Sequence, residues 1–197
     1  MSDPSLPTPL RVLVVDNEPG RAALLEQALR DANHQVIKRT EVKQSLDQMV
    51  AECQPDMIIV DMDAPDRDVL EQMAHVSRDN PRPIVMYAEE DDATFVEQAI
   101  RSGVSAYVAN GMRPERIKST MAVAIARFRE YQALRQELNE AKVELADRKV
   151  IEKAKGLIMD HRGVSEQDAY KALRKMAMDR SSPLIDVARN VISVFEI

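Results

Sequence analysis

The chain of 197 residues contains no Trp, three Phe and four Tyr. A stacking sheet for RNA or single-stranded DNA needs several clustered rings, so this scarcity argues against such a platform. The single cysteine, Cys53, excludes an internal disulfide and a cysteine-based zinc site. Its place in Met49-Val50-Ala51-Glu52-Cys53, just before Pro55, reads as a small residue at a helix end. The three histidines, His34, His75 and His161, are too scattered for a metal cluster. No apolar run is long enough to span a bilayer. Met1 to Pro9, with Pro4, Pro7 and Pro9, reads as a flexible lead rather than a signal peptide. A cytoplasmic setting without membrane contact is therefore expected. A net charge of −6 argues against a uniformly basic nucleic-acid coat but leaves room for a local basic patch.

What is present is ordinary for a globular chain, with 45% hydrophobic and 30% charged residues, and the length suits one large domain or two small ones. From Arg11 to about Met112, short apolar runs alternate with helical periodicity. The runs are Val12–Val15, Gln35–Ile37, Met57–Val60, Ile84–Tyr87 and Ala106–Val108, each brief and holding β-branched residues, as strands buried on both faces should be. Between them lie stretches such as Arg21–Leu29 with an apolar stripe at helical spacing. Strands alternating with helices predict a five-stranded parallel sheet with right-handed crossovers, covered on both sides. Ligands in such folds sit beyond the carboxyl ends of the strands, which here carry Asp16 and Asp61.

After Pro114 the pattern changes. From Glu115 to about Asp160 there is no Pro, and Gly156 is the only Gly. The apolar positions Ile117, Met121, Ala124, Phe128 and Tyr131, then Leu134, Leu138, Ala141 and Leu145, form a heptad seam with one irregularity between Tyr131 and Leu134. Arg129, Glu130, Arg135, Glu137, Glu140, Lys142 and Glu144 suit a solvated outer face. A coiled-coil homodimer through Phe128, Tyr131, Leu134, Leu138 and Leu145 is the expectation, with packing back onto the chain's own domain as the alternative. Beyond it, Ser165-Glu166-Gln167-Asp168 has the form of a capping box and opens a helix through Met178. That helix should bury Ala169, Leu173, Met176 and Ala177. Ser182-Pro183 opens a last helix with Leu184, Val187, Ala188, Val191 and Ile192 as its apolar face. The expected organisation is a lead at 1–9, an α/β domain at 10–114, a coiled-coil linker at 115–146 and an all-α three-helix domain at 147–197.

The net charge hides an asymmetry. Between Arg148 and Arg180 there are nine basic and five acidic side chains, so this segment carries +4 and the rest of the chain −10. A basic module tied to an acidic body points to a nucleic-acid reader on a regulatory domain, although a charge excess is often only a solvated helix face.

The runs Val12-Leu13-Val14-Val15-Asp16-Asn17-Glu18-Pro19 and Ile58-Ile59-Val60-Asp61-Met62-Asp63-Ala64-Pro65 resemble a response-regulator receiver domain, a flavodoxin-like fold, over Arg11 to about Phe128. The resemblance implies Asp61 as phosphoacceptor, and Asp16 with Asp61 as the carboxylates beside a Mg²⁺ ion. Three positions depart from the family. Asn17 replaces the second acid of the first-strand pair, Ala88 replaces the switch hydroxyl, and Asn110 replaces the lysine after the fifth strand. A site without that hydroxyl and cation has lost much of its phosphoryl stabilisation. The expectation is a pseudo-receiver that requires no cofactor, with Mg²⁺ at Asp16 and Asp61 and phosphorylation of Asp61 as the alternative.

Arg148-Lys149-Val150-Ile151-Glu152-Lys153-Ala154-Lys155-Gly156-Leu157-Ile158-Met159, followed by Ala169-Tyr170 and Arg174-Lys175-Met176-Ala177-Met178, resembles the ANTAR domain, a three-helix RNA-binding module of bacterial antiterminators. Receiver, coiled coil and ANTAR module in this order are similar to the nitrate-assimilation regulators of the NasT type and, more distantly, to the amidase regulators of the AmiR type. Gly111 also fits that subgroup, because typical receivers carry Pro there. Ala154 and Gly156 would let another helix come close, while Arg148, Lys149, Lys153, Lys155, Gly156, Arg174 and Lys175 form the candidate RNA face. Ala154, Ala169 and Ala177 read as packing residues, Leu157, Ile158 and Met159 as core, and Tyr170 as buried packing.

The resemblance implies a non-enzymatic regulator that binds hairpins in leader mRNA as a homodimer, under control of a nitrate-sensor-like partner protein. A phosphorylation-dependent response regulator acting on DNA would predict a recognition helix that is not evident. A coiled-coil adaptor binding an acidic protein is a third reading.

Overall fold

A computed structural model describes residues 9–16, 18–40, 45–63, 66–89 and 91–195. The lead segment 1–8, Asn17 and the Ala64-Pro65 pair lie outside the described residues. The chain divides into two compact units, one ending at Gln132 and one beginning at Ala133.

The first unit is built on five strands, β1 (Arg11–Asp16), β2 (Gln35–Thr40), β3 (Met57–Asp61), β4 (Ile84–Ala88) and β5 (Ala106–Ala109). They pair in parallel in the order β2-β1-β3-β4-β5. The connecting helices are α1 (Pro19–Asp31), α2 (Leu46–Cys53), α3 (Arg67–Asp79) and α4 (Ala93–Arg101). Each starts where the sequence stops favouring strand. Asp66 caps α3 by accepting from the Val69 N–H at 3.0 Å, and Asp92 caps α4 by accepting from Phe95 N–H at 3.1 Å.

The period-2 alternation of the strands sorts the core into two layers. Val12, Val14, Met57, Ile59, Val85 and Tyr87 face one side with Leu25 and Leu29 of α1. Leu13, Val15, Ile58, Val60, Ile84 and Met86 face the other with apolar residues of α2, α3 and α4. By the same alternation, Asp16 and Asp61 end their strands on the face that α1 covers.

A 3₁₀ turn at Pro114–Arg116 leads into α5 (Ile117–Arg162), a helix of 46 residues that continues without a break through the expected linker boundary at 146. Its heptad seam has two fates. Ile117, Met121, Ala124 and Ile125 are buried in the first core layer. Phe128 is half-buried and lines a surface cleft with Arg11, Pro55, Pro83 and Ile125. From there on the seam is exposed, at Tyr131, Leu134, Leu138 and Leu145.

In the second unit, α6 (Glu166–Asp179) and α7 (Leu184–Phe195) close a core with the end of α5. Its buried members are Ala154, Ile158, Ala169, Leu173, Ala177, Val187 and Ala188. His161 stacks on Phe195 at 4.3 Å between ring centroids, joining the ends of α5 and α7. Ser165 caps α6 by accepting from the Asp168 N–H at 3.2 Å. Asp168 is one methylene shorter than the usual Glu and accepts from the Ser165 hydroxyl at 2.8 Å. Pro183 stands one position before α7, where its carbonyl accepts from Asp186 and Val187.

Candidate functional site

Two sites emerge, one in each unit. In the first, β1 and β3 pair with Asp16 opposite Asp61, so the two carboxylates lie side by side at the carboxyl edge of the sheet. Both are buried, Asp16 at 2% exposure and Asp61 at 1%. The Glu18 N–H donates to Asp16 Oδ1 at 2.7 Å and fixes that carboxylate.

Sequence reasoning missed the residue that dominates this pocket. Arg21 stands in the first turn of α1, and its guanidinium reaches down between the strand ends. Its Nε lies 3.5 Å from Asp61 Oδ1 and its Nη2 lies 3.7 Å from Asp16 Oδ1. Nη1 donates to Asp63 Oδ1 and lies 3.6 Å from Glu18 Oε2. One signal for it was available. A helix N-terminus favours acidic residues, yet the first turn of α1 has none and carries this cation instead.

Burial pushes the Asp61 carboxyl up to about 6, against the lowering pull of Arg21 and with further upward contributions from Asp16, Asp63 and Glu89. The neighbouring carboxylates outweigh the desolvation of Arg21 and hold its guanidinium above its ordinary range. Asp61 Oδ2 is buried and accepts no hydrogen bond among the described residues. Ala88 is buried at the end of β4, and Asn110 is exposed after β5.

Asn110 and Gly111 both take left-handed backbone, with φ of 62° and 75°. The Gly111 N–H donates to the Ala88 carbonyl at 3.2 Å. A Cβ at Gly111 would lie 2.9 Å from Glu89 Oε1. A proline, locked near φ −65°, cannot occupy this position.

A Mg²⁺ ion of the kind receivers employ does not fit these residues as they stand. It demands near-octahedral oxygen ligands, and the Oδ1 oxygens of Asp16, Asp61 and Asp63 all face the Arg21 guanidinium. A divalent ion on the same oxygens would sit on the order of 4 Å from that cation, a repulsion of about 8 kcal/mol at an effective dielectric near 20. With Arg21 in place, no three His, Cys, Asp or Glu side chains among the described residues are grouped to hold a metal ion.

In the second unit the candidate cations separate by role. Arg148, Lys149, Lys153, Arg174 and Lys175 are exposed. Lys155 is different, with only 8% of its side chain exposed. Its ammonium donates to Glu166 at 2.6 Å and to both oxygens of Glu152 at 2.9 Å. Glu166 and then Glu152 hold the ammonium above its ordinary range, and Lys155 in turn holds Glu166 below the usual carboxylate range. Lys155 thus ties the start of α6 to α5, a pairing across 11 residues that helical periodicity does not reveal.

Two expectations are corrected here. Tyr170 is not buried packing but 43% exposed, with the Lys155 ammonium 6.0 Å from its ring centroid. No helix lies close to Gly156, since a Cβ built on it meets nothing within 4 Å. Ala154 does meet that reading, being fully buried in the helical core. On the α5 helical wheel, Lys149, Lys153 and Gly156 share the face opposite Ala154 and Ile158.

The family model of the response regulator receiver domain matches residues 12–122, and that of the ANTAR domain matches residues 139–192. The transcriptional regulatory protein PdtaR of Mycobacterium tuberculosis is 28% identical over 191 residues, covering 97% of this chain and 93% of that protein. The nitrate regulatory protein of Klebsiella oxytoca is 43% identical over 65 residues, which are 33% of this chain and 16% of that protein. The signal receiver domain of a modulated diguanylate cyclase from Desulfovibrio desulfuricans G20 superposes with a TM-score of 0.52 at 19% identity, over 62% of this chain and 98% of that one. That likeness shows the fold.

Proposed function

The chain belongs to the response regulator receiver family and carries an ANTAR domain behind its receiver, and from that premise we propose that it is a non-enzymatic antitermination regulator that binds RNA. Its target is a pair of hairpins in a leader mRNA. Holding them disfavours the competing terminator stem and lets transcription continue.

The observation that carries this reading is the α5 face of Lys149, Lys153 and Gly156, where cations flank a stretch of helix backbone with no side chain over it. Lysines there meet phosphates, and the bare backbone at Gly156 allows a nucleic acid to approach closely. Arg174, on α6, adds a guanidinium able to stack on or hydrogen-bond loop bases. The exposed seam of Tyr131, Leu134, Leu138 and Leu145 supports a homodimer that presents two such modules. The 43% identical stretch shared with a nitrate regulatory protein supports control of nitrate and nitrite assimilation genes, with a nitrate-sensing partner protein that sequesters the regulator.

The test is a gel shift with a two-hairpin leader RNA across a salt series. Lys149→Glu combined with Arg174→Glu is expected to weaken binding by roughly 10-fold or more. It should also flatten the salt dependence by about 0.7 to 0.9 in slope for each phosphate that is no longer neutralised. Lys155→Met is expected to lower the thermal midpoint of the helical unit and leave that slope unchanged, because its ammonium is already held by Glu152 and Glu166. Equal salt slopes for all three proteins would remove the proposed RNA face.

Gly156→Ala separates stability from binding. Nothing blocks the added methyl, so helix propensity alone should stabilise the unit by up to about 1 kcal/mol. RNA affinity is expected to fall. Unchanged affinity in the more stable variant would mean that the RNA does not approach α5 there.

A further inference from the structure

The geometry points to Arg21 as the resident counter-cation of the receiver pocket: its guanidinium occupies the place of a divalent ion among Asp16, Asp61, Asp63 and Glu18, and keeps such ions out. Four carboxylates converge on this one side chain from two stretches of the chain, 16–18 and 61–63. Asp16 and Asp61 come from the ends of neighbouring strands, Asp63 from the segment after β3, and Glu18 from the residue before α1. Two of the four are almost wholly buried. Without the guanidinium, the strand-end pair would be two adjacent buried anions, a pairing that proteins tolerate only with protons or an added cation.

The placement of Arg21 follows from the backbone. Pro19 starts α1, so residue 21 falls within its first turn, directly above the carboxyl ends of β1 and β3. Guanidinium suits the position better than ammonium would, because its fixed fork of five donors addresses several carboxylates at once. The neutralisation comes from within the chain and is permanent. A dissociable ion would make the pocket respond to its concentration, whereas a covalently attached cation does not. The charge state of this face is thereby uncoupled from divalent ions.

The experiment measures divalent-ion binding by the full-length chain, with Mn²⁺ as the probe. Free Mn²⁺ is followed by electron paramagnetic resonance, and thermal midpoints are taken with and without 10 mM MgCl₂, on the order of cellular excess. Wild type is expected to leave the free Mn²⁺ signal unchanged up to about 1 mM and to show no Mg²⁺-dependent midpoint shift. Arg21→Met keeps the length and removes the charge. It is expected to bind one Mn²⁺ at least tenfold more tightly than wild type and to gain thermal stability with Mg²⁺. Arg21→Lys, which keeps a cation, should behave like wild type. Adding Asp61→Asn to Arg21→Met should abolish the acquired site.

One Mn²⁺ bound by wild type below about 1 mM, and lost in Asp61→Asn, would overturn the inference without need of any Arg21 variant. Arg21→Met folding normally yet binding no more tightly than wild type would overturn it equally, since Arg21 would then not be what excludes the ion.

Discussion

Replacing Leu134 and Leu138 together by alanine is expected to lower affinity for a two-hairpin RNA by about 10²-fold or more, while affinity for a single hairpin stays as in wild type. The two leucines are 58% and 56% exposed, in a stretch of α5 whose residues 133–146 are all exposed. Burying a leucine side chain contributes roughly 1.5–3 kcal/mol, and a symmetric pair buries each residue twice. Tyr131, Leu134, Leu138 and Leu145 stand at steps of three, four and seven, so one face of α5 keeps them in register with a second copy. The RNA effect follows from linkage alone. Two modules on one dimer bind the second hairpin intramolecularly, which multiplies affinity by about 10² to 10⁴ without new contacts. Light scattering after size exclusion should show dimer for wild type and monomer for the double variant. A double variant that remains dimeric, or loses single-hairpin binding as well, would place the association elsewhere.

Asp61→Asn is expected to stabilise the receiver unit at pH 8, by about half as much at pH 5, and to leave it nearly unchanged below about pH 4. The Asp61 carboxyl lies near 6 in the folded chain, against an ordinary value of 3.8 in the unfolded one. Between those values the native state binds more protons than the unfolded state, so stability falls as pH rises and levels off above 6. A displacement of that size corresponds to about 2–3 kcal/mol. The neutral asparagine removes the penalty, and Arg21 keeps Asp16, Asp63 and Glu18 as partners. Thermal denaturation of both proteins across this range is the measurement, with a gain of about 5–10 °C at pH 8 expected. A variant less stable than wild type at pH 8 would show that the buried anion is worth more than its desolvation costs.

The strands were legible because a parallel sheet buried on both faces demands short β-branched runs, and Val12–Val15 and Met57–Val60 have little else to be. The small helical domain was legible from its alanine and leucine spacing, which reappears in the buried set Ala169, Leu173 and Ala177. The seam of α5 was visible as a period, but period alone does not say where a helix leaves its own domain. Only the sheet shows that Met121 and Ala124 are covered and Leu134 is not. Arg21 stayed hidden for a similar reason: Glu18 stands at helical spacing from it, but Asp61 and Asp63 are brought to Asp16 by strand pairing. Lys155 shows how a local pattern misleads. A lysine in a basic run reads as surface charge until Glu166 arrives from the next helix.

The left-handed pair Asn110-Gly111 also decides which residues this loop can carry. Ordinary receivers carry lysine and then proline where this chain has these two residues. Putting lysine at 110 would hold a bulky side chain at φ 62°, at a cost of roughly 1–2 kcal/mol. Proline at 111 is forbidden at φ 75° and would delete the hydrogen bond from the Gly111 N–H to Ala88. Lysine is thus disfavoured at 110 but sterically possible, as Gln54 and Ser181 in the same region show, whereas proline at 111 requires a different backbone. Restoring the lysine and proline pair therefore requires this loop to change its backbone at Gly111.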